Sequence, residues 1–229
     1  MEFDVSVRRA NVVRIGRDAS PVICVDDFCA DPEALVTLAE QAAFIDVGSN
    51  YPGVRAPAPA AYVRAVLHAL APLVERHFGA PPEDDLDLCA FSMVTKSPGL
   101  LRASQRIPHF DGPESRRIAL LHYLCAPRQG GTSFYRHRVT GLETVSAERA
   151  QEYRDIVARQ LREKLPMGGY ASAATPGFER IHRVDAAFNR IVVYPGNLLH
   201  SGDIGPDTVL SEDPRRGRLT INGFGFLRS

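Results

Sequence analysis

The spacing of apolar positions divides the chain into an early part with helical periodicity and a later part that alternates. Asp31-Pro32 reads as an N-cap followed by proline in the first helical turn, and Leu35, Leu38 and Ala42 continue an apolar stripe. Together they predict a helix ending near Phe44. Val63, Val66, Leu67, Leu70 and Val74 recur at helical spacing and predict a second helix over 60–78, in which Pro72 removes one backbone donor. Upstream, FDVSVRRANVVRI (3–15) carries two short apolar runs on either side of Arg8-Arg9-Ala10-Asn11, the pattern of a loose hairpin or two edge strands. ICVDDF (23–28) is a further strand candidate. Residues 46–59, rich in Gly, Pro and Ala around Tyr51-Pro52-Gly53, predict a loop.

Strand patterns dominate from Leu86 onwards. Candidates are 86–95, the strongly apolar RIALLHYLC (117–125), TSFYRH after Gly130-Gly131, 180–184, 188–194, the short Leu198-Leu199-His200, and 218–227. One helix interrupts them at 146–164, with Ser146 as its cap and Ala150, Tyr153, Val157 and Leu161 on its packing face. The stretches 126–130, 166–179 and 203–216 read as loops. Helices followed by many strands argue for an α+β or mainly β fold with the N-terminal helices packed on one sheet; no β-α-β alternation points to a doubly wound sheet. One domain over 1–229 is expected, with strands and supporting helices in 1–80 and a β core over 86–227.

Composition narrows the classes of partner. Lys+Arg and Asp+Glu number 27 each, so the formal charge is zero, and no basic block interleaves with aromatics; a nucleic-acid partner is not expected. No apolar run reaches membrane-spanning length and no signal-peptide pattern opens the sequence, so a cytoplasmic protein without membrane attachment is the expectation. Cys24, Cys29, Cys89 and Cys125 form no C-x-x-C pair and read as reduced thiols.

The candidate chemistry begins at His109-Phe110-Asp111. In an extended segment His109 and Asp111 point to one side, because side chains alternate with a period of two. One more imidazole would complete a two-histidine, one-carboxylate iron(II) site, and His200 in YPGNLLHSG is the candidate. Zinc fits the same donor set. Arg218 and Thr220 share a face of the last strand candidate. An inward arginine needs an anion, which a carboxylate ligand or a protein acid would supply, and its fork of donors matches a carboxylate. Tyr123, inside an apolar strand, offers a further hydroxyl, while its neighbour His122 faces the other way. His68, His77 and His182 read as structural or surface residues. His137, Arg102, Gln105 and Arg106 are candidates for the cavity mouth, and Asn189 and Asn222 for supporting contacts.

In order along the chain, His109-Phe110-Asp111, Leu121-His122-Tyr123-Leu124, Gly130-Gly131-Thr132-Ser133-Phe134, His200 and Arg218-Leu219-Thr220 resemble the iron(II)- and 2-oxoglutarate-dependent oxygenases. The likeness is to the prolyl-hydroxylase-like branch and to a bacterial group within that superfamily, and it covers about residues 86–227. The resemblance implies a double-stranded β-helix, or jelly roll, with helix 146–164 inserted. It implies that His109, Asp111 and His200 hold Fe(II), and that Arg218, Tyr123 and Thr220 bind 2-oxoglutarate. The implied reaction is that of a dioxygenase: O2 and 2-oxoglutarate are consumed, succinate and CO2 are released, and a small molecule, amino acid or peptide is hydroxylated. Two features depart from the family pattern. His200 and Arg218 stand further apart than is usual, and the double-glycine segment is one residue tighter. A cupin-like metal enzyme without 2-oxoglutarate and a non-catalytic jelly-roll binding protein are the alternatives.

Overall fold

The computed structural model describes residues 2–48, 50–163 and 168–229. Along the chain run β1 (Ala10–Ile15), β2 (Ser20–Val25), α1 (Pro32–Glu40), β3 (Ile45–Asp46), β4 (Gly53–Pro57), α2 (Ala60–Phe78), β5 (Leu88–Val94), β6 (Arg117–Tyr123), β7 (Thr132–His137), α3 (Ala147–Glu163), β8 (Phe178–Val184), β9 (Arg190–Pro195), β10 (His200–Gly202) and β11 (Leu219–Phe226). The strands form a large antiparallel sheet in the order β1-β2-β9-β6-β11-β5-β4-β3 and a small one in the order β10-β7-β8.

Alternation gives the large sheet two apolar faces, which is why RIALLHYLC is apolar almost throughout. Phe91, Met93, Leu120, Ile191, Leu219 and Ile221 face one way and pack against α1 and α2 through Leu35, Val36, Tyr62, Val66 and Leu70. Ala119, Leu121, Tyr123, Val192 and Tyr194 face the other way and pack against Phe134 and Val184 of the small sheet. The far face of the small sheet, through Tyr135 and Phe178, packs with Ala150, Tyr153 and Val157 of α3. The molecule is therefore mixed α+β, with the N-terminal helices on one side of a large antiparallel sheet. None of its described helices is long and apolar enough to cross a membrane.

Helix α1 has nine residues, too few for stability alone. The Asp31 carboxylate accepts from the Ala34 N–H at its start, and buried Leu35, Val36 and Ala39 bind it to the sheet. A cap contributes about 1 kcal/mol and each fully buried large aliphatic roughly 1.5–3 kcal/mol, so packing outweighs capping here. Helix α2 runs through Pro72 and ends at Gly79, whose φ of 94° suits glycine.

Four expectations need adjustment. The stretch 46–59 contains the end of β3 and all of β4; Gly53 is required there because a Cβ would stand 1.9 Å from the Met93 carbonyl oxygen of β5. The first helix stops at Glu40, four residues early. Between the two apolar runs of 3–15, the second is β1 while the first makes a single bridge, Val5 to Cys29. The later helix ends its described part at Glu163; Lys164, residues 166 and 167 of the expected loop and Ser49 of the 46–59 stretch lie outside the described residues.

A buried polar network ties the layers together. The Tyr62 hydroxyl on α2 donates to His122 Nδ1 on β6 (2.8 Å), and His122 Nε2–H donates to Asn189 Oδ1 (3.1 Å). Asn189, at φ 65°, closes a pair of bonds with the Cys29 backbone, 2.9 Å and 2.8 Å. His122 accordingly faces the helices, away from the space between the sheets.

Candidate metal centre and its cavity

His109 reaches the small sheet through a reciprocal backbone pair. Its N–H donates to the His200 carbonyl (2.9 Å), and the His200 N–H donates to the His109 carbonyl (2.8 Å). On its other side β10 pairs with β7, His200 opposite Phe134. Asp111 is fixed by its N–H, which donates to the Gly196 carbonyl (2.7 Å) in the turn before β10. The two-residue period then turns His109 and Asp111 to the same side, beside His200.

One ligand atom from each of His109, Asp111 and His200 lies within 4.8 Å of the others. Asp111 Oδ1 is 3.9 Å from His109 Nε2, and Asp111 Oδ2 is 3.5 Å from His200 Nε2. His200 Nδ1–H donates to the Leu198 carbonyl (2.8 Å), which leaves Nε2 as the lone-pair nitrogen facing Asp111. Asp111 Oδ2 is buried without a hydrogen-bond partner. A buried carboxylate oxygen of this kind is costly, and two imidazole nitrogens with an orphaned carboxylate oxygen are a donor set that fits a divalent cation.

The electrostatics agree with the geometry. Burial raises Asp111 to about 6, against opposing pulls from His109, Arg117 and Arg55. Burial and the neighbouring His200 lower His109 to about 4, and burial lowers His200 to about 4. At neutral pH both imidazoles are thus uncharged lone-pair donors and Asp111 is ionised. The His109 ring forms the outer edge of the cluster, with 55% of its side chain exposed against 11% for Asp111 and 6% for His200; the exposed edge faces a cavity whose walls enclose the ring.

That cavity holds about 640 Å3 and lies between the sheets, with α3 as an outer wall through Tyr153 and Val157. Arg218 lines it just ahead of β11 and is 4% exposed. Its Nη2–H donates to the Gly131 carbonyl (3.0 Å) and its Nε–H to the Gly130 carbonyl (3.3 Å), and the guanidinium lies 5.5 Å from the Tyr123 ring centre. No described Asp or Glu pairs with it, so the protein-acid partner considered for Arg218 is not there. Tyr123 sits behind the wall, its hydroxyl 2.7 Å from Thr132 Oγ1, and burial raises it to about 12. Thr132, not Tyr123, reaches the cavity. Thr220 is fully buried; its hydroxyl is held by Asn222 Oδ1 (2.8 Å) and the Ser92 carbonyl (3.3 Å), and Asn222 is the cavity residue of that pair.

The structure brings His109, Asp111, His200 and Arg218 to one cavity, but sets Tyr123 and Thr220, expected beside Arg218 as ligands of 2-oxoglutarate, one layer behind its wall, because their hydroxyls are taken up by Thr132 and Asn222. Thr132, within Gly130-Gly131-Thr132, and Tyr51 and Arg55, in the stretch expected to be a loop, also line the cavity; the sequence singled out none of the three individually. His137 is not at the mouth: it is fully buried and bonded to Thr140 (3.0 Å) and Gln160 (2.9 Å). Gln105 does line the cavity, its amide donating to the Asn50 carbonyl (3.1 Å).

Comparison with solved structures finds a shared fold with HygX from Streptomyces hygroscopicus, solved with nickel and 2-oxoglutarate bound. The TM-score is 0.52 at 14% identity over 91% of this chain and 84% of that one. A second HygX structure, with nickel, 2-oxoglutarate and hygromycin B, aligns at TM-score 0.49 and 15% identity over the same shares, 91% and 84%. The non-haem α-ketoglutarate-dependent epimerase SnoN from nogalamycin biosynthesis aligns at TM-score 0.47 and 11% identity, covering 89% of this chain and 76% of its own. No curated protein sequence matches. Residues 7–225 match the family described as "Family of unknown function (DUF6445)", and with nearly its whole length covered the chain belongs to that family.

Proposed function

We propose that this protein is an Fe(II)- and 2-oxoglutarate-dependent oxygenase, a single domain built as a double-stranded β-helix around the cavity. The observation that carries the reading is the orphaned Asp111 oxygen facing two imidazole nitrogens, in a cavity that also holds the acid-free guanidinium of Arg218.

The topology supports the jelly roll. From β5 onwards the chain alternates between the sheets: β5 large, the bridge at His109 small, β6 large, β7 and β8 small, β9 large, β10 small, β11 large. The resulting orders, β9-β6-β11-β5 and His109-β10-β7-β8, are those of two interlocked Greek keys. HygX, which shares the fold, was solved with nickel and 2-oxoglutarate bound.

In this reading His109, Asp111 and His200 would hold the metal at the edge of the cavity. Iron(II) bound there supplies the activation of O2, coupled to decarboxylation of 2-oxoglutarate to succinate and CO2. Arg218 binds the far carboxylate of 2-oxoglutarate, with the Thr132 hydroxyl beside it. Tyr123 orients Thr132 through their hydrogen bond and packs against the Arg218 guanidinium; Thr220 fixes Asn222. The Gly130 and Gly131 carbonyls hold Arg218 in place before the ligand arrives, which reduces the ordering needed on binding. The Tyr194, Leu121 and Phe224 side chains make part of the wall apolar. The prime substrate is a small molecule, amino acid or peptide.

An anaerobic titration tests the reading. Iron(II) followed by 2-oxoglutarate should develop a weak visible charge-transfer band that requires both additions. The band should vanish in His109→Ala and His200→Ala, and Arg218→Ala should need at least about ten-fold more 2-oxoglutarate to reach it. Folded wild type that binds iron without developing the band would sink the co-substrate assignment.

A further inference from the structure

Arg55 is a second guanidinium in the same cavity without a countercharge. It lies on β4, opposite Ser92 of β5, which in turn lies opposite Thr220 of β11. The neighbouring residues of β4, Val54 and Ala56, turn into the helix-side core, so Arg55 turns to the cavity, whose wall it forms. Its Nε is buried with no hydrogen-bond partner, and its guanidinium packs 4.3 Å from the centre of the Tyr51 ring. No described Asp or Glu forms an ion pair with it.

The position separates Arg55 from Arg218. Arg55 acts electrostatically on Asp111 and His109, whereas Arg218 acts on Tyr123, Cys125, Tyr170 and Tyr194; both act on Tyr51. Arg218 is anchored by the Gly130 and Gly131 carbonyls beside Tyr123, whereas Arg55 stands on the other side of the sheet order, on β4, over the ring of Tyr51. The charge count of the walls is also uneven. Arg55, Arg154 and Arg218 line the cavity, Arg154 being exposed at the rim, and Asp111 is its one acidic residue among those described. A divalent metal with two interior arginines, set against one carboxylate and the dianion 2-oxoglutarate, leaves one positive charge inside. A half-buried guanidinium with its Nε shut off from water favours an anion in that state.

We propose that Arg55 binds a carboxylate of the prime substrate, so that the substrate class is a carboxylate-bearing small molecule held next to the metal. The inference rests on the oxygenase reading for the order of binding, and it adds the charge of the substrate. The Arg55 fork offers two parallel N–H donors to the carboxylate, while the ring of Tyr51 holds the guanidinium plane. The substrate's apolar part extends towards Leu121, Phe224 and Val157.

The test uses the full chain loaded with zinc(II), which is diamagnetic and supports no turnover, and saturated with 2-oxoglutarate. Hexanoate and its neutral counterpart hexanamide are titrated by ligand-observed NMR, and 2-oxoglutarate affinity is measured in the same preparations by calorimetry. Hexanoate should bind wild type at least about ten-fold more tightly than hexanamide. Arg55→Gln should lose that preference while keeping its 2-oxoglutarate affinity within about two-fold, and Arg55→Lys should recover part of it. Wild type that does not distinguish the two probes, an Arg55→Gln protein with the preference intact, or one that loses 2-oxoglutarate together with hexanoate would each overturn the proposal. If wild type binds hexanoate through Arg55 but takes up no 2-oxoglutarate, the co-substrate reading falls and the anion site stands.

Discussion

At Asp111 the metal-free chain holds a carboxylate whose burial disfavours its charge, only partly offset by His109, Arg117 and Arg55. Its value is raised from 3.8 to about 6. Between those two pH values the folded chain keeps a proton that the unfolded chain has lost, so the destabilisation grows as pH rises through the window and is complete above 6. Asp111→Asn removes that penalty. In the presence of chelator the variant should exceed wild type by on the order of 2 kcal/mol in urea denaturation at pH 7.5, with the gain shrinking towards pH 4. His109 and His200, lowered from 6.5 to about 4, act with the opposite sign. Their contribution is present above 6.5 and is lost as pH falls towards 4. Metal binding reads the same carboxyl group, because the cation displaces its proton. Zinc affinity should approach a ten-fold fall per pH unit well below 6 and level off above it, with calorimetry in buffers of different ionisation enthalpy detecting about three-quarters of a proton released per zinc at pH 5.5 and almost none at pH 7.5.

Among the elements, the Gly130–Gly131 entry into β7 connects the fold to the ligand site. A Cβ on Gly131 would stand 1.9 Å from the Val184 carbonyl oxygen of β8, and its own carbonyl accepts from Arg218. Gly131→Ala should therefore cost about 2 kcal/mol or more in thermal or urea unfolding and also weaken 2-oxoglutarate binding, with a smaller effect on zinc affinity. An equal loss of both ligands would mean that the glycine serves the metal centre as well. The elements differ in how plainly the sequence announces them. Helix α2 is legible because one apolar stripe at helical spacing decides it, and Gly79 ends it. Strand β4 is not, since Gly53 and Pro57 are residues that local propensity assigns to turns. Only pairing with β5 makes it a strand, and Gly53 is there for the close approach of the Met93 carbonyl. Arg55 was invisible for the same reason.

Across the whole molecule, the Tyr62–His122–Asn189–Cys29 network joins α2, the large sheet and the approach to α1. Asn189→Ala would leave His122 Nε2–H and the Cys29 backbone unpaired in the core and would place alanine at φ 65°. It should lose about 2–4 kcal/mol of stability by urea denaturation while zinc affinity stays unchanged, because His122 faces the helices. By itself the sequence determined the local pieces: helix periodicity, strand alternation, the common side of His109 and Asp111, and the opposite facing of His122 and Tyr123. These follow from backbone geometry within a few residues. Residue chemistry made His200 and Arg218 candidates, and the likeness of five short motifs in order joined them to His109 and Asp111. Only the tertiary structure decided the rest. The His109–His200 bridge, the retreat of Tyr123 and Thr220 behind Thr132 and Asn222, and the arrival of Arg55 at the cavity wall all depend on which strands pair and in what register. That choice is made by burial summed over both sheets and by close backbone approaches, and no window of the chain contains it.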